Sequence, residues 1–174
     1  MMKIYIVGTV GSGKSTLSDR LSELLEIPVY HLDDIVHVKN EKSILGNTKR
    51  TDREIECIFK EILSQENFII EDTLRNRFTD ALHQVDKVVF LDLPLNVLKY
   101  RVLKRFVKQK LGIEKSSYKP SLQFLHQMLI WLRDSPREKV EGLSNVLVLK
   151  NSKEIRHFIQ EVENEKFLGK YLQT

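Results

Sequence analysis

A single cysteine in 174 residues excludes an internal disulfide. Cys57 lies among Ile55, Ile58, Phe59 and Ile62, a spacing that predicts a packing position on the buried side of a helix. A reducing compartment fits. Long apolar runs are also missing. No stretch reaches the ~20 residues of a membrane span, and the first residues read as a strand rather than a leader, so a cytoplasmic protein with no membrane partner is expected. Charge of one sign is barely in excess: 28 Lys and Arg against 24 Asp and Glu leave a net charge of +4. That balance suits a protein that handles polyanionic nucleotides and argues only weakly for nucleic-acid binding. Glycine is scarce, yet three of the seven, Gly8, Gly11 and Gly13, fall close together.

That cluster is the most informative feature of the chain. A β-rich run over residues 3–7 leads into Gly8-Thr9-Val10-Gly11-Ser12-Gly13-Lys14-Ser15-Thr16, a complete G-x-x-x-x-G-K-[ST] phosphate-binding loop, or Walker A motif. The glycines let successive N–H groups turn inward around phosphate oxygens. Lys14 supplies a point charge for β- and γ-phosphates, and the Ser15 hydroxyl is a ligand for Mg²⁺. Leu17, Leu21, Leu24 and Leu25 follow at helical spacing, so a helix N-terminus also faces the anion. The expected ligands are a nucleoside triphosphate, ATP, and Mg²⁺, with Gly8, Gly11, Ser12, Gly13, Lys14, Ser15 and Thr16 forming the nucleotide site.

Five short runs read as strands, over residues 3–7, 29–32, 68–70, 87–91 and 145–149. Most are continuous apolar stretches rather than alternating ones, as in a parallel sheet covered on both faces. Helical patterns separate them. Thr51 and Glu54 form a capping-box signature before Ile55, Ile58, Phe59 and Ile62; a helix follows Pro94; Asn151 and Glu154 open a last one. Alternating strands and helices predict an α/β fold in one domain over residues 1–174. Residues 107–120 break the rhythm.

Acidic residues terminate three of these strands. His31-Leu32-Asp33-Asp34 ends the second, and ligands of open α/β sheets lie beyond the strands' carboxyl ends. One of these acids is expected near Mg²⁺ or its waters, the other accepting a proton from an attacking hydroxyl; the competing reading is a helix cap. Glu71-Asp72 ends the third strand, making Glu71 a candidate for holding a metal-bound water. Asp92, before Pro94, reads as a structural cap. Basic residues fall in three groups: Arg75 with Arg77; Arg101, Lys104, Arg105 and Lys108 on one helical face; Arg133 and Arg137 around Asp134-Ser135-Pro136. Guanidinium forks match phosphate oxygens, so some of these arginines are expected to reach nucleotide. The other histidines lack ligand spacing, and Trp131 reads as a core anchor.

At these residues the chain resembles adenylate-kinase-like small kinases, most of all the bacterial family of DNA topology modulation proteins, P-loop kinases by sequence. The likeness runs from residue 3 to about 162, carried by segments 8–16, 27–34, 88–94, 101–105 and 131–133. It implies a three-layer P-loop NTPase fold: a five-stranded parallel sheet in order 2-3-1-4-5, flanked by helices, with a small helical lid at about 107–135. It also implies Glu71 as a metal partner through water and Arg75 beside the acceptor phosphate, with Asp34 on the acceptor. Arg101, Arg105, Arg133 and Arg137 would lie near the lid and the donor, and Lys14, Asp33 and Asp34 would join them in catalysis. The family has Asp-Gly-Asn-Tyr where this chain has Glu71-Asp72-Thr73-Leu74, so the acceptor end differs. Nothing resembles a topoisomerase.

The reading that follows is a phosphotransferase moving the γ-phosphate of ATP·Mg²⁺ to a nucleotide, nucleoside or other small hydroxyl compound. A GTPase switch is disfavoured, since Asn47-Thr48-Lys49-Arg50 and Asn151-Ser152-Lys153-Glu154 both lack the terminal Asp of a guanine-reading tetrad. The alternative is a nucleotide-dependent regulatory or nucleic-acid-binding protein that lays the basic helix on a phosphate backbone. Acceptor identity and oligomeric state are left open by these residues.

Overall fold

The computed structural model describes residues 2–40, 47–114 and 120–171. Its centre is a five-stranded parallel sheet. β1 (Met2–Gly8) lies between β5 (Asn67–Asp72) and β6 (Lys87–Leu91), with β2 (Val29–His31) and β7 (Val146–Leu149) at the edges. In chain order these five strands run 2-3-1-4-5, as the resemblance implies.

Alternation along the central strand sorts the core into two faces. Ile4 and Ile6 join Leu17 and Leu21 of α1 (Lys14–Leu25) and Phe158 of α7 (Ser152–Tyr171). Tyr5 and Val7 point the other way, onto Ile55 and Phe59 of α3 (Asp52–Leu63) and Phe78 of a 3₁₀ helix (Asn76–His83). Both sides of β1 are thus covered, and its apolar residues Ile4 to Val7 are all buried. Each such side chain contributes ~1.5–3 kcal/mol by leaving water. A third cluster packs α4 (Leu95–Lys110) on α5 (Leu122–Trp131) through Leu98, Val102, Met128 and Leu132.

The two expected capping signatures form. Thr51 accepts from the Glu54 N–H while Glu54 accepts from the Thr51 N–H, and Asn151 Oδ1 accepts from the N–H groups of Lys153 and Glu154. Three local readings are corrected. Cys57 is exposed, because the buried stripe of α3 runs through Ile55, Phe59 and Ile62 and leaves it on the outer side. Asp92 caps nothing: Pro94 stands at the N-cap of α4, and the Asp92 carboxylate pairs with Arg137 instead. Trp131 is no core anchor but is 39% exposed at the end of α5.

Further elements fill the connections. α2 (Leu32–Val36) takes over before the second strand reaches its expected end, and β3 (His37–Lys39) pairs antiparallel with β4 (Asn47–Lys49). Of the lid-like stretch 107–135, the described part holds the end of α4 and all of α5; residues 115–119 lie outside the described residues. α6 (Arg137–Val140) follows. Among the described residues, no helix is long and apolar enough to cross a membrane.

Candidate functional site

The loop after β1 takes its shape from its glycines. Gly11 (φ +75°) and Gly13 (φ +96°) adopt left-handed backbone that other residues reach only with strain. A Cβ at Gly8 would lie 2.8 Å from Ser12 Oγ, and one at Gly11 would lie 3.0 Å from Val102 of α4. At Gly8 and Gly11 the loop therefore presses against its surroundings with no room for a side chain. α1 begins immediately after it, with Gly13 at its N-cap.

Lys14 is buried, and its Nζ donates to the Thr9 carbonyl at 3.3 Å, closing the loop on itself. Burial lowers its pKa, while Glu71, Asp72 and Asp33 act in the opposite direction. The Ser12 hydroxyl is buried and has no hydrogen-bond partner among the described residues. A glycine-shaped loop with a buried ammonium and a helix beginning directly after it fits the phosphates of a nucleotide.

Sheet register delivers the acids. His31 of β2 and Ile6 of β1 flank Glu71 on β5, and parallel pairing puts their side chains on the same face. Glu71 Oε1 consequently accepts from Ser15 Oγ at 3.0 Å and lies 3.0 Å from His31 Nδ1, while His31 Nε2 lies 3.1 Å from Asp19 of α1. The bond to Glu71 raises the His31 pKa, against the effect of partial burial. This Ser15–Glu71–His31–Asp19 chain joins three elements. Motif spacing does not reveal His31 or Asp19; only the register could.

One residue further, Asp72 is almost wholly buried, and burial pushes its pKa up while Arg75 pulls it down. Arg75 Nη1 donates to Asp72 Oδ1 at 2.5 Å, its backbone N–H donates to Asp72 Oδ2 at 2.7 Å, and Nη2 pairs with Asp33. The turn that aims it contains Leu74 at φ +65°, a strained conformation for a branched side chain. Burial of Leu74 and a 2.7 Å bond from Lys139 Nζ to its carbonyl hold that turn. Asp33 and Asp34 occupy the first turn of α2, and Arg50 holds the turn by donating to the carbonyls of Asp34 and Ile35.

A cleft of about 1540 Å³ unites these groups. Gly11, Gly13, Lys14, Ser15, Thr16, Asp33, Asp34, Glu71, Arg75, Arg101 and Arg105 all line it, as do Trp131, Phe124 and Lys139, which spacing alone does not single out. On α4, Arg101 donates to the Ser12 carbonyl at 2.8 Å and to Ser152 Oγ at 3.1 Å. Arg105 Nη2 reaches only the Met128 thioether, at 3.5 Å, and its Nε is buried without a partner among the described residues. Lys104 turns away, its ammonium over the Tyr100 ring. Arg77 leaves the cleft for Asp52. Neither Arg133 nor Arg137 lines the cleft: Arg133 is exposed and Arg137 is drawn to Asp92. Gly8 and Ser12 lie beneath the loop rather than on the lining, which their packing requires.

A family model described as an AAA domain matches residues 4–119. The bifunctional shikimate kinase/3-dehydroquinate synthase of Thermotoga maritima is 27% identical over 109 residues, which cover 58% of this chain and 22% of that protein. The chain thus spans less than a quarter of that relative's length. The structure of shikimate kinase from Acinetobacter baumannii, bound to shikimate, superposes with a TM-score of 0.60 at 18% identity, covering 98% of this chain and 95% of that one. A gluconokinase from Sinorhizobium meliloti 1021 gives a TM-score of 0.55 at 20% identity, with 99% and 97% covered. These likenesses carry the broader part of the expected resemblance, the fold of small P-loop kinases, and not the narrower DNA topology modulation family. Because the matching model follows the chain from β1 through α4 and beyond, more than half its length, this protein belongs to the AAA domain family.

Proposed function

We propose that the protein transfers the γ-phosphoryl group of ATP to a hydroxyl of a small acceptor. The observation that carries this reading is the bond between Ser15 of the phosphate loop and Glu71 at the carboxyl end of β5, on the floor of a cleft also lined by Asp33 and Asp34. That arrangement brings phosphate-binding, metal-positioning and proton-accepting groups to one edge of the sheet.

Loop N–H groups and Lys14 hold the β- and γ-phosphates. Mg²⁺, when bound, neutralises charge on the phosphate oxygens; Ser15 would ligate it and Glu71 would hold one of its waters. Among the described residues no cluster of three His, Cys, Asp or Glu side chains could hold a metal alone, so phosphate oxygens would complete the set. Asp33 or Asp34 accepts the proton of the attacking hydroxyl. The acceptor oxygen bonds to the γ-phosphorus as the bond to the bridging oxygen breaks, and ADP leaves. Arg101 and Arg105, whose guanidinium groups have only neutral partners among the described residues, stabilise the charge that develops on the transferred group. Arg133 and Arg137 are left out of this set because they lie off the cleft.

The arginine-only lining of α4 favours this reading over nucleic-acid binding, for which the whole stripe with Lys104 and Lys108 would face one way. A screen of small alcohols with ATP·Mg²⁺, reading ADP release, tests it. One or more acceptors should accelerate ADP release, and Glu71→Gln should raise the Mg²⁺ concentration needed. Salt-dependent DNA binding without phosphotransfer to any acceptor would refute it.

A further inference from the structure

Resting on the phosphotransfer reading, we infer that the acceptor is an uncharged alcohol carrying a planar ring, of nucleoside type, with the ring against Trp131 and a hydroxyl toward Asp33 and Asp34. Two independent observations lead there.

The first is charge. Arg75 stands on the cleft wall with both arms engaged, on Asp72 and Asp33. Two carboxylates, Asp33 and Asp72, already answer the single charge of Arg75. A phosphate or carboxylate on the acceptor would have to displace Asp72, or draw the exposed Asp33, a candidate proton acceptor, off Arg75. Displacing Asp72 would leave a nearly buried carboxylate without its counter-charge, and a buried charge stripped of its partner is strongly unfavourable. Arg101 and Arg105, beside the phosphate loop, have no carboxylate partner among the described residues, so anionic groups belong there. The Arg75 end suits a neutral molecule.

The second is Trp131. Its indole is 39% exposed and lines the cleft, and Phe124 meets it edge-on at 5.9 Å between ring centres and 86° between planes. An edge-to-face neighbour fixes the indole's orientation without covering both of its faces, which makes a stacking surface. The Asp134 N–H bonds to the Trp131 carbonyl, and the chain then passes Pro136 to Lys139, whose ammonium holds Leu74 next to Arg75. The segment that carries the indole therefore leads to Lys139, which lines the same cleft as Leu74 and Arg75. Base-on-aromatic stacking raises affinity roughly 5- to 150-fold.

Trp131 is the chain's single tryptophan, so its emission reports the site directly. With the donor site filled by saturating AMP-PNP·Mg²⁺, emission is titrated with adenosine, cytidine, guanosine and thymidine, their 5′-monophosphates, glucitol and gluconate. At least one nucleoside should quench it saturably and bind about tenfold or more tighter than its monophosphate. The same nucleoside should drive ADP release from ATP·Mg²⁺. Trp131→Leu should raise its KM by roughly 5- to 150-fold with kcat nearly kept, and Trp131→Phe should restore most of the loss. Tighter binding of a monophosphate overturns the proposal. So does phosphorylation of glucitol or gluconate with unchanged emission, which leaves phosphotransfer standing. Quenching only when AMP-PNP is absent assigns the ring to the donor and overturns the acceptor assignment; emission silent to every ring compound overturns it outright. A nucleoside that quenches but releases no ADP supports the ring site and refutes the phosphotransfer reading.

Discussion

The phosphate-loop end and the Arg75 end of the cleft are built on opposite principles. At the loop, binding groups are backbone N–H donors from one contiguous run, placed by two left-handed glycines and one helix N-terminus. At the other end they are side chains from separate elements: Asp33 on α2, Asp72 on β5, Arg75 on a strained turn and Lys139 on α6. The charges differ in the same way. Around the loop, Arg101 and Arg105 rest on neutral groups, whereas Arg75 is matched by two carboxylates. A site of backbone groups tolerates little change in sequence and serves one ligand chemistry. A site of side chains on independent elements can be reshaped residue by residue with the fold intact, which is why the fold does not identify the acceptor.

The sharpest way to test this contrast is to remove the acids. Asp33→Asn and Asp34→Asn should separate: the one that accepts the hydroxyl proton should lower turnover by about 10²–10⁴-fold while ATP affinity is kept. Normal turnover in both would reduce the pair to the first turn of α2. Next in size is Lys14→Ala. A charge-assisted bond is worth roughly 1.5–3 kcal/mol, about one to two decades. ATP affinity measured by calorimetry should fall by that much, and unchanged affinity would break the phosphate-loop assignment. On α4 the expected effect is smaller and unequal. Arg101→Met should depress turnover several-fold or more, while Lys104→Met, whose ammonium lies over Tyr100, should alter it little. Equal effects would favour a whole basic stripe.

The smallest effect lies just outside the cleft, where Arg77 pairs with the exposed Asp52. Arg77 first, and then Lys49, holds the Asp52 carboxyl below its usual range. A depressed folded pKa means stability that is present above the unfolded value of ~3.9 and lost as pH falls through the lower folded value. Denaturant titrations should show wild type slightly more stable than Asp52→Asn at pH 7, with the gap closing below about pH 3.9. Exposure keeps it small. A gap that is constant with pH would mean that the pair has no electrostatic part.

Much of the contrast was legible in the residues. Gly8 to Thr16 announces its ligand because an anion cradle needs a fixed spacing of glycines and a lysine. The apolar runs of β1, β5 and β6 announce a covered parallel sheet. Cys57 was misread because a helical spacing of apolar neighbours does not say on which side an intervening residue falls, and it lies opposite the stripe of Ile55, Phe59 and Ile62. Trp131 was misread because its size alone suggests a core position, and packing left it on the cleft. Asp92 preceded a helix as caps do, yet Arg137 arrived from 45 positions away.

By itself the sequence determined the α/β fold, the phosphate loop, the capped helices and the acids at the strand ends, since each depends on neighbours within a few residues. Tertiary structure alone decided that His31 meets Glu71, because register between β2 and β5 sets that pair. It alone turned Arg75 onto two acids, left Arg105 without one among the described residues, and stood Trp131 in the cleft. Those outcomes depend on which distant elements pack together, and long-range packing leaves no periodic trace in the chain.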